Sequence, residues 1–195
     1  MRQIYLFFAT ILLFTGFMNA ASAAENPRTG DKPKVLVAYF SCSGTTEALA
    51  KRVADVLRAD LYRIQPQQPY SNADLNYRDT SSRSSVEMND PAARPTIAGN
   101  VADMAQYEIV FLGYPIWWGQ APRIMVTFLE SHDFSGKTIV PFCTSGGSGF
   151  GSSDRDLHAL TDSATWIAGA RLNSGASRDD VTTWINGLGL AVIDE

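Results

Sequence analysis

The stretch Val35–Ala50, VLVAYFSCSGTTEALA, changes from an apolar run to a hydroxyl-rich turn and then to a helix start. The continuous apolar run Val35–Phe40 predicts a strand that is covered on both faces. The hydroxyl residues of the turn are Ser41, Ser43, Thr45 and Thr46. Gly44 allows close backbone approach, and the first N–H groups of a helix lack intrahelical partners. This order of elements therefore predicts an anion-binding site.

The chemistry of this hydroxyl turn (Ser41–Thr46) restricts the kind of anion. No Lys or Arg lies between Ser41 and Ala50, and the G-x-x-x-x-G-K-[ST] spacing of nucleotide triphosphatases is absent. Transfer of a γ-phosphate is therefore disfavoured. A neutral, hydrogen-bonding turn suits a terminal phosphate monoester, the group that FMN carries. The alternative is an ordinary capped turn, because Ser and Thr are common at helix N-caps.

The N-terminus has the pattern of an export signal. Arg2 precedes the uncharged run Ile4–Met18, and small residues follow it. This predicts a signal peptide over residues 1–24, cleaved after Ala23 or Ala24, and a periplasmic or secreted mature protein. The run is shorter than the ~20 residues of a membrane span, so no stable membrane insertion is expected after cleavage. An uncleaved anchor is the alternative.

The remainder predicts one domain of ordinary size over residues 34–195, after a linker over residues 25–33. The net charge of −4, without a basic stripe, disfavours a nucleic-acid partner. Cys42 and Cys143 are the only cysteines. Each is expected to follow a different, non-adjacent strand, so two free thiols are expected rather than a disulfide.

Apolar strands alternate with amphipathic helices along most of the chain. The predicted strands are Val35–Phe40, Leu61–Ile64, Glu108–Gly113, Lys137–Cys143 and Thr165–Leu172. The predicted helices are Thr46–Arg58, Pro122–Glu130, Asp154–Leu160 and Arg178–Leu188. Such alternation predicts a parallel sheet with right-handed crossovers. Pro141 inside the fourth strand predicts a strand end or an edge.

One long segment, Gln65–Asn100, breaks the alternation, and we call it the excursion. It is rich in Pro, Ser, Asn, Asp and Arg and has no clean period. A segment of this length predicts either an ordered replacement for a helix or a partly mobile loop. The side chains expected to anchor it are Tyr70, Leu75, Tyr77, Val86 and Met88.

Two further loops are expected at the carboxyl edge of the sheet, where ligands bind in doubly wound folds. Tyr114–Gly119 reads YPIWWG, and adjacent tryptophans would make a wall for a flat ring, with one of them expected in the core. Thr144–Gly151 reads TSGGSGFG, whose glycines allow backbone N–H groups to approach a ligand. Phe150 is expected to cover such a ring or to pack beneath it. Each loop alone is also typical of an ordinary connection.

Taken together, the hydroxyl turn, YPIWWG and PFCTSGGSGFG resemble the flavodoxin family, in particular its short, single-domain members, over about Lys34 to Leu190. The resemblance implies an α/β, flavodoxin-like three-layer sandwich with a five-stranded parallel sheet in the order 2-1-3-4-5 and with FMN as cofactor. The residues implied at the phosphate are Ser41, Ser43, Gly44, Thr45 and Thr46. Those implied beside the ring are Pro115, Ile116, Trp117, Trp118, Gly119 and Phe150. Those implied at the pyrimidine edge are Thr144, Ser145, Gly146 and Gly147.

The resulting hypothesis is an exported FMN-binding electron-transfer protein whose partner is a redox protein or a small electron acceptor. No residue is required as acid or base, and His132 and His158 have no second ligand type at metal spacing. Arg123 is placed to approach the flavin, and a surface salt bridge is the alternative. The alternative is an NAD(P)H-dependent quinone or nitro-compound reductase in which the excursion helps to form a substrate pocket. A binding module without cofactor is a third class, and an acyl-transfer triad around Ser148 is a weak fourth, because the G-x-S-x-G spacing is incomplete.

Overall fold

The computed structural model describes residues 32–192, so the predicted signal peptide lies outside the described residues. The strands are β1 (Val35–Tyr39), β2 (Asp60–Arg63), β3 (Gln65–Pro66), β4 (Ile97–Ala98), β5 (Ile109–Pro115), β6 (Thr138–Thr144), β7 (Thr165–Trp166) and β8 (Ala170–Arg171). The helices are α1 (Thr45–Leu57), α2 (Arg83–Asn89), α3 (Arg123–Glu130), α4 (Ser153–His158) and α5 (Arg178–Asn186). None of the helices described is long and apolar enough to cross a membrane.

The main sheet is parallel and follows the order β2-β1-β5-β6, with β7 and β8 both paired to the outer side of β6. With β7 and β8 in the place of one fifth strand, this confirms the predicted order 2-1-3-4-5. The middle of the sheet is formed by the strands with continuous apolar runs, because these strands must be buried on both faces.

Helices cover both faces of this sheet and produce the three predicted layers. Alternate residues of β1 enter opposite clusters: Leu36 and Ala38 join the one that contains α3, whereas Val35 and Val37 join the one that contains α1 and α5. The period of two in a strand therefore divides one apolar run between two cores.

The prediction of one continuous fifth strand was wrong, and so was the placement of Pro141 at a strand end or an edge. Pro141 lies inside β6 and pairs with Leu112 of β5. The backbone carbonyls of Ile139 and Cys143 accept hydrogen bonds from the outer strands. Pro141 lies two residues from each of them, so its backbone faces the same side of β6. On that side it has no N–H to donate. The fifth strand pairs only on either side of this position, as β7 and β8.

The element boundaries differ from the predicted ones by one to a few residues. The helix predicted over Thr46–Arg58 begins at Thr45 and ends at Leu57, because Arg58 adopts a left-handed conformation with φ of 51°. The strand predicted over Glu108–Gly113 continues to Pro115, so two residues assigned to a loop belong to β5. Only Ile116 therefore lies between the end of β5 and the tryptophan pair.

The excursion is an ordered segment that contains the β3–β4 hairpin and the short helix α2. Tyr70 packs against the core, and Met88 is buried, as expected for anchors. The expectation was wrong for Tyr77 and Val86, which are 67% and 54% exposed. Tyr77 and Val86 are therefore available at the surface.

Close packing of β5 against β6 gives a stability prediction. A Cβ atom at Gly113 would lie 2.4 Å from the ring of the buried Phe142, its register partner. Gly113→Ala is therefore expected to lower the free energy of unfolding by about 1–3 kcal/mol, measured by urea denaturation. Gly146→Ala, where nothing lies within 4 Å, is the matched control. Equal losses in both variants would contradict this account of the packing.

Candidate functional site

The three loops predicted to meet at the carboxyl edge are joined to one another by hydrogen bonds. The N–H of Ile116 donates to the Thr144 carbonyl at 2.9 Å, and the N–H of Ser152 donates to the Gly119 carbonyl at 3.0 Å. The hydroxyls of Thr46 and Thr144 form a buried hydrogen bond of 2.8 Å. The hydroxyl turn, the tryptophan loop (Pro115–Gly119) and the glycine loop (Thr144–Gly151) are therefore one connected region.

The hydroxyl turn is held in shape by its own side chains. The Ser41 hydroxyl accepts from the Gly44 N–H at 3.1 Å, and the hydroxyls of Ser43 and Thr45 lie 3.1 Å apart. Gly44 has a φ of 84° and is the N-cap of α1, so no side chain caps this helix. The first helical donor is Ala48, which leaves three N–H groups at the helix start without helical partners. These donors fit an anion.

One carboxylate and two cationic side chains lie around the turn. Glu47 lies in the first turn of α1 and pairs with Lys51 at 2.6 Å and with Arg63 at 3.7 Å. The hydrogen bond from Lys51 lowers the pKa of Glu47, so its carboxylate is charged at neutral pH. Arg63 also donates to the Ser41 carbonyl at 3.4 Å. Sequence reasoning missed Arg63, because it comes from the end of β2 rather than from the turn.

The tryptophan loop forms a tight turn that separates the two indoles. Trp117 and Gln120 exchange two backbone hydrogen bonds of 2.9 Å, and the turn residue Trp118 has a φ of 48°. Trp117 packs edge-on against Phe40 and Tyr70 at 5.5 Å, so it is the tryptophan expected in the core. Trp118 is 44% exposed in a conformation that costs a non-glycine residue about 1–3 kcal/mol. Such strain marks candidate functional positions.

A cleft of about 430 Å³ lies between the hydroxyl turn, the tryptophan loop and the excursion. Its volume is within the range of small-molecule sites. The lining residues are Ser41, Cys42, Ser43, Thr46, Leu75, Tyr77, Ser84, Pro115, Ile116, Trp117 and Trp118. None of them carries a charge at neutral pH, and seven of the eleven were predicted site residues.

The other predicted site residues do not line this cleft. Gly44, Thr45 and Gly119 stand beside it in the loops, and Thr144 reaches it only through its bond to Thr46. The rest of the glycine loop bonds within itself: the Ser145 hydroxyl bonds to the Ser148 hydroxyl and accepts from the Gly147 N–H. Gly146 and Phe150 are also absent from the lining. Phe150 packs edge-on against buried Tyr114, so it lies beneath the loop.

Four lining residues were missed, and Arg123 does not line the cleft. Leu75, Tyr77 and Ser84 come from the excursion, whose sequence has no period that indicates which side chains face the sheet edge. Cys42 lies between two predicted hydroxyl residues. The Arg123 guanidinium donates to the carbonyls of Glu87 and Met88 at the end of α2, because the last carbonyls of a helix attract a cation.

A model of the flavodoxin family matches residues 34–188. The chain belongs to the flavodoxin family. Two solved structures support the same assignment over most of this chain. A candidate flavoprotein from Bacteroides eggerthii is 44% identical, with a TM-score of 0.78, and the match covers 82% of this chain and 99% of that one. A second from Bacteroides uniformis is 46% identical, with a TM-score of 0.76, and the match covers 80% and 99%.

Two other proteins are more distantly similar. The flavoprotein of Lactobacillus acidophilus in complex with FMN is 19% identical, with a TM-score of 0.64, over 80% of this chain and 99% of that one, which shows the shared fold. An NAD(P)H dehydrogenase (quinone) of Cupriavidus metallidurans is 32% identical over 102 residues, which are 50% of this chain. This flavodoxin-family chain matches only 45% of that protein's length.

The two cysteines give a prediction about thiol reactivity. Both are free thiols, as expected, and burial raises the pKa of Cys42 to about 11 and that of Cys143 to about 12. Because the thiolate is the nucleophile, neither should react appreciably with Ellman's reagent at about pH 8 in the native protein. Both should react quickly in denaturant without a reductant. Rapid native labelling of one thiol, lost in Cys42→Ser, would contradict the assigned burial.

Proposed function

We propose that this flavodoxin-family chain binds FMN in the cleft and acts as an exported electron-transfer protein. The observation that carries the proposal is the uncapped start of α1, which adjoins the hydroxyl turn at the edge of an uncharged cleft. A terminal phosphate would take its hydrogen bonds from these N–H groups and hydroxyls. A partly apolar ring fits a wall that contains Pro115, Ile116 and two tryptophans.

The residues present fit FMN better than a dinucleotide. One anion site adjoins the cleft, and the lining offers no cation for a second phosphate. When bound, FMN supplies the electron-transfer chemistry through its ring system, and the protein supplies binding, orientation and electrostatics. Ser41, Ser43, Thr45 and Thr46 would hold the phosphate, while Trp117 and Trp118 would keep water from one side of the cleft.

Removing hydroxyls from the turn tests the phosphate site. The double variant Ser41→Ala with Thr46→Val should weaken FMN binding about tenfold or more, because hydrogen bonds to a charged group contribute roughly 1.5–3 kcal/mol each. Riboflavin, which lacks the phosphate, should bind the variant and the wild type nearly equally. Flavin fluorescence titration measures both affinities.

The control for this experiment is Thr46→Ser, which keeps a hydroxyl within reach of Thr144 and should retain FMN affinity. It separates loss of the Thr46 hydroxyl from other effects of changing this side chain. Equal losses of FMN and riboflavin in the double variant would remove the turn as a phosphate site.

A second candidate function is an NAD(P)H-dependent quinone reductase. The favouring observations are the similarity to the NAD(P)H dehydrogenase (quinone) of Cupriavidus metallidurans and the wall that the excursion adds to the cleft. Anaerobic titration of the flavin-loaded protein separates the two functions. Direct bleaching of the flavin spectrum by NADH or NADPH indicates the reductase. Reduction by dithionite alone, with fast reoxidation by a partner, supports electron transfer.

Export is the last part of the proposal and rests on the pattern of Arg2, Ile4–Met18 and the small residues before Glu25. The protein purified from its native source should begin at Ala24 or Glu25, as read by N-terminal sequencing, and should be found outside the cytoplasm. A native chain that begins at Met1 in the cytosolic fraction would contradict export and favour the reductase.

A further inference from the structure

The excursion contributes a wall to the cleft that none of the three predicted loops provides. Leu75 and Tyr77 precede α2, and Ser84 lies in its first turn. Together they supply an aliphatic side chain, an aromatic ring and a hydroxyl. They enter the cleft from the segment between β2 and β5, whereas the residues proposed for FMN follow β1, β5 and β6. This third wall therefore lines the same cleft from a different segment of the chain.

Ser84 is the informative member of this wall. The residue is only 1% exposed, and its hydroxyl has no hydrogen-bond partner among the described residues. A buried hydroxyl without a partner costs about 1–3 kcal/mol. Its neighbour Ser85 is equally buried, but the Ser85 hydroxyl accepts from Ser82 at 2.8 Å. Ser84, the residue with the unpartnered hydroxyl, is thus also the one of these two serines that lines the cleft.

The position of Ser84 is fixed by the surrounding structure. Its N–H donates to the Asp74 carbonyl at 3.0 Å, and the Ser82 side chain caps the start of α2. At the other end of the helix, Arg123 donates to the carbonyls of Glu87 and Met88. A rigidly placed donor without a partner suits recognition of an acceptor atom on a ligand.

The remaining walls restrict what that ligand is. The lining is uncharged, and burial keeps the Cys42 thiol neutral at physiological pH because its pKa is about 11. Tyr77 and Trp118, two of the few large apolar side chains exposed in the described structure, both border the cleft. Exposed aromatic rings at a cleft favour a flat apolar molecule.

We propose that Leu75, Tyr77 and Ser84 form a second subsite of the cleft for an uncharged, flat, carbonyl-bearing molecule of the quinone type. The Ser84 hydroxyl donates to a carbonyl oxygen of this molecule, and Leu75 and Tyr77 contact its ring. The inference rests on the proposed function, because it names the class of small electron acceptor that the FMN-loaded protein would bind.

The test compares two probes on the FMN-loaded full chain by equilibrium dialysis. One probe is a dimethylated naphthoquinone with no free ring position for thiol addition, and the other is the dimethylnaphthalene of the same outline. The wild type should bind the quinone several-fold more tightly than the hydrocarbon. Ser84→Ala should weaken quinone binding by about three- to tenfold and change hydrocarbon binding by less than about twofold. Tyr77→Ala should weaken both probes to a similar degree.

Ser85→Ala is the matched control, since it removes a hydroxyl of equal burial from the same turn and should leave the preference for the quinone unchanged. FMN content is measured from the visible spectrum of every variant. Equal loss of both probes in Ser84→Ala would assign Ser84 to packing and overturn the inference, and so would loss of FMN from that variant. A wild type that retains FMN without preferring the quinone overturns this inference alone. A wild type that takes up no FMN overturns the proposed function as well.

Discussion

Strand β5 pairs in parallel with β1 on one side and with β6 on the other, and the site depends on this ladder. Parallel pairing brings the carboxyl ends of three strands to one edge, so the loops that follow them must meet there. The buried bond between the Thr46 and Thr144 hydroxyls and the bond from Ile116 to Thr144 join these loops. The tight contact of Gly113 with the Phe142 ring fixes β5 against β6 just before that edge.

The excursion adds a part that the sheet alone does not supply. Arg83 pairs with Glu87 at 2.7 Å and lies over the Tyr70 ring, while the Tyr70 hydroxyl donates to Glu87. Burial, with the nearby Glu87 carboxylate, raises the pKa of Tyr70, so this hydroxyl stays protonated as a donor. Tyr70 in turn packs against Trp117. One network thus connects the third wall of the cleft to the tryptophan loop.

Sequence reasoning predicted the parts of this fold that local patterns determine. The apolar run Val35–Phe40 and the helix after Gly44 follow from hydrophobic period and capping chemistry, and both are confirmed within one residue. The break in the fifth strand was missed because it depends on which side of β6 the missing N–H of Pro141 faces. The partnerless hydroxyl of Ser84 was missed because burial of a polar atom depends on tertiary packing.

The phosphorus NMR signal of bound FMN tests the central claim, that the hydroxyl turn and the start of α1 hold a phosphate. The second pKa of a phosphate monoester is about 6, so the signal of free FMN moves between about pH 5 and pH 8. N–H donors and a helix start favour the dianion, so the bound signal should stay constant over this range. A bound signal that titrates like that of free FMN, while the ring spectrum still reports binding, would contradict the account.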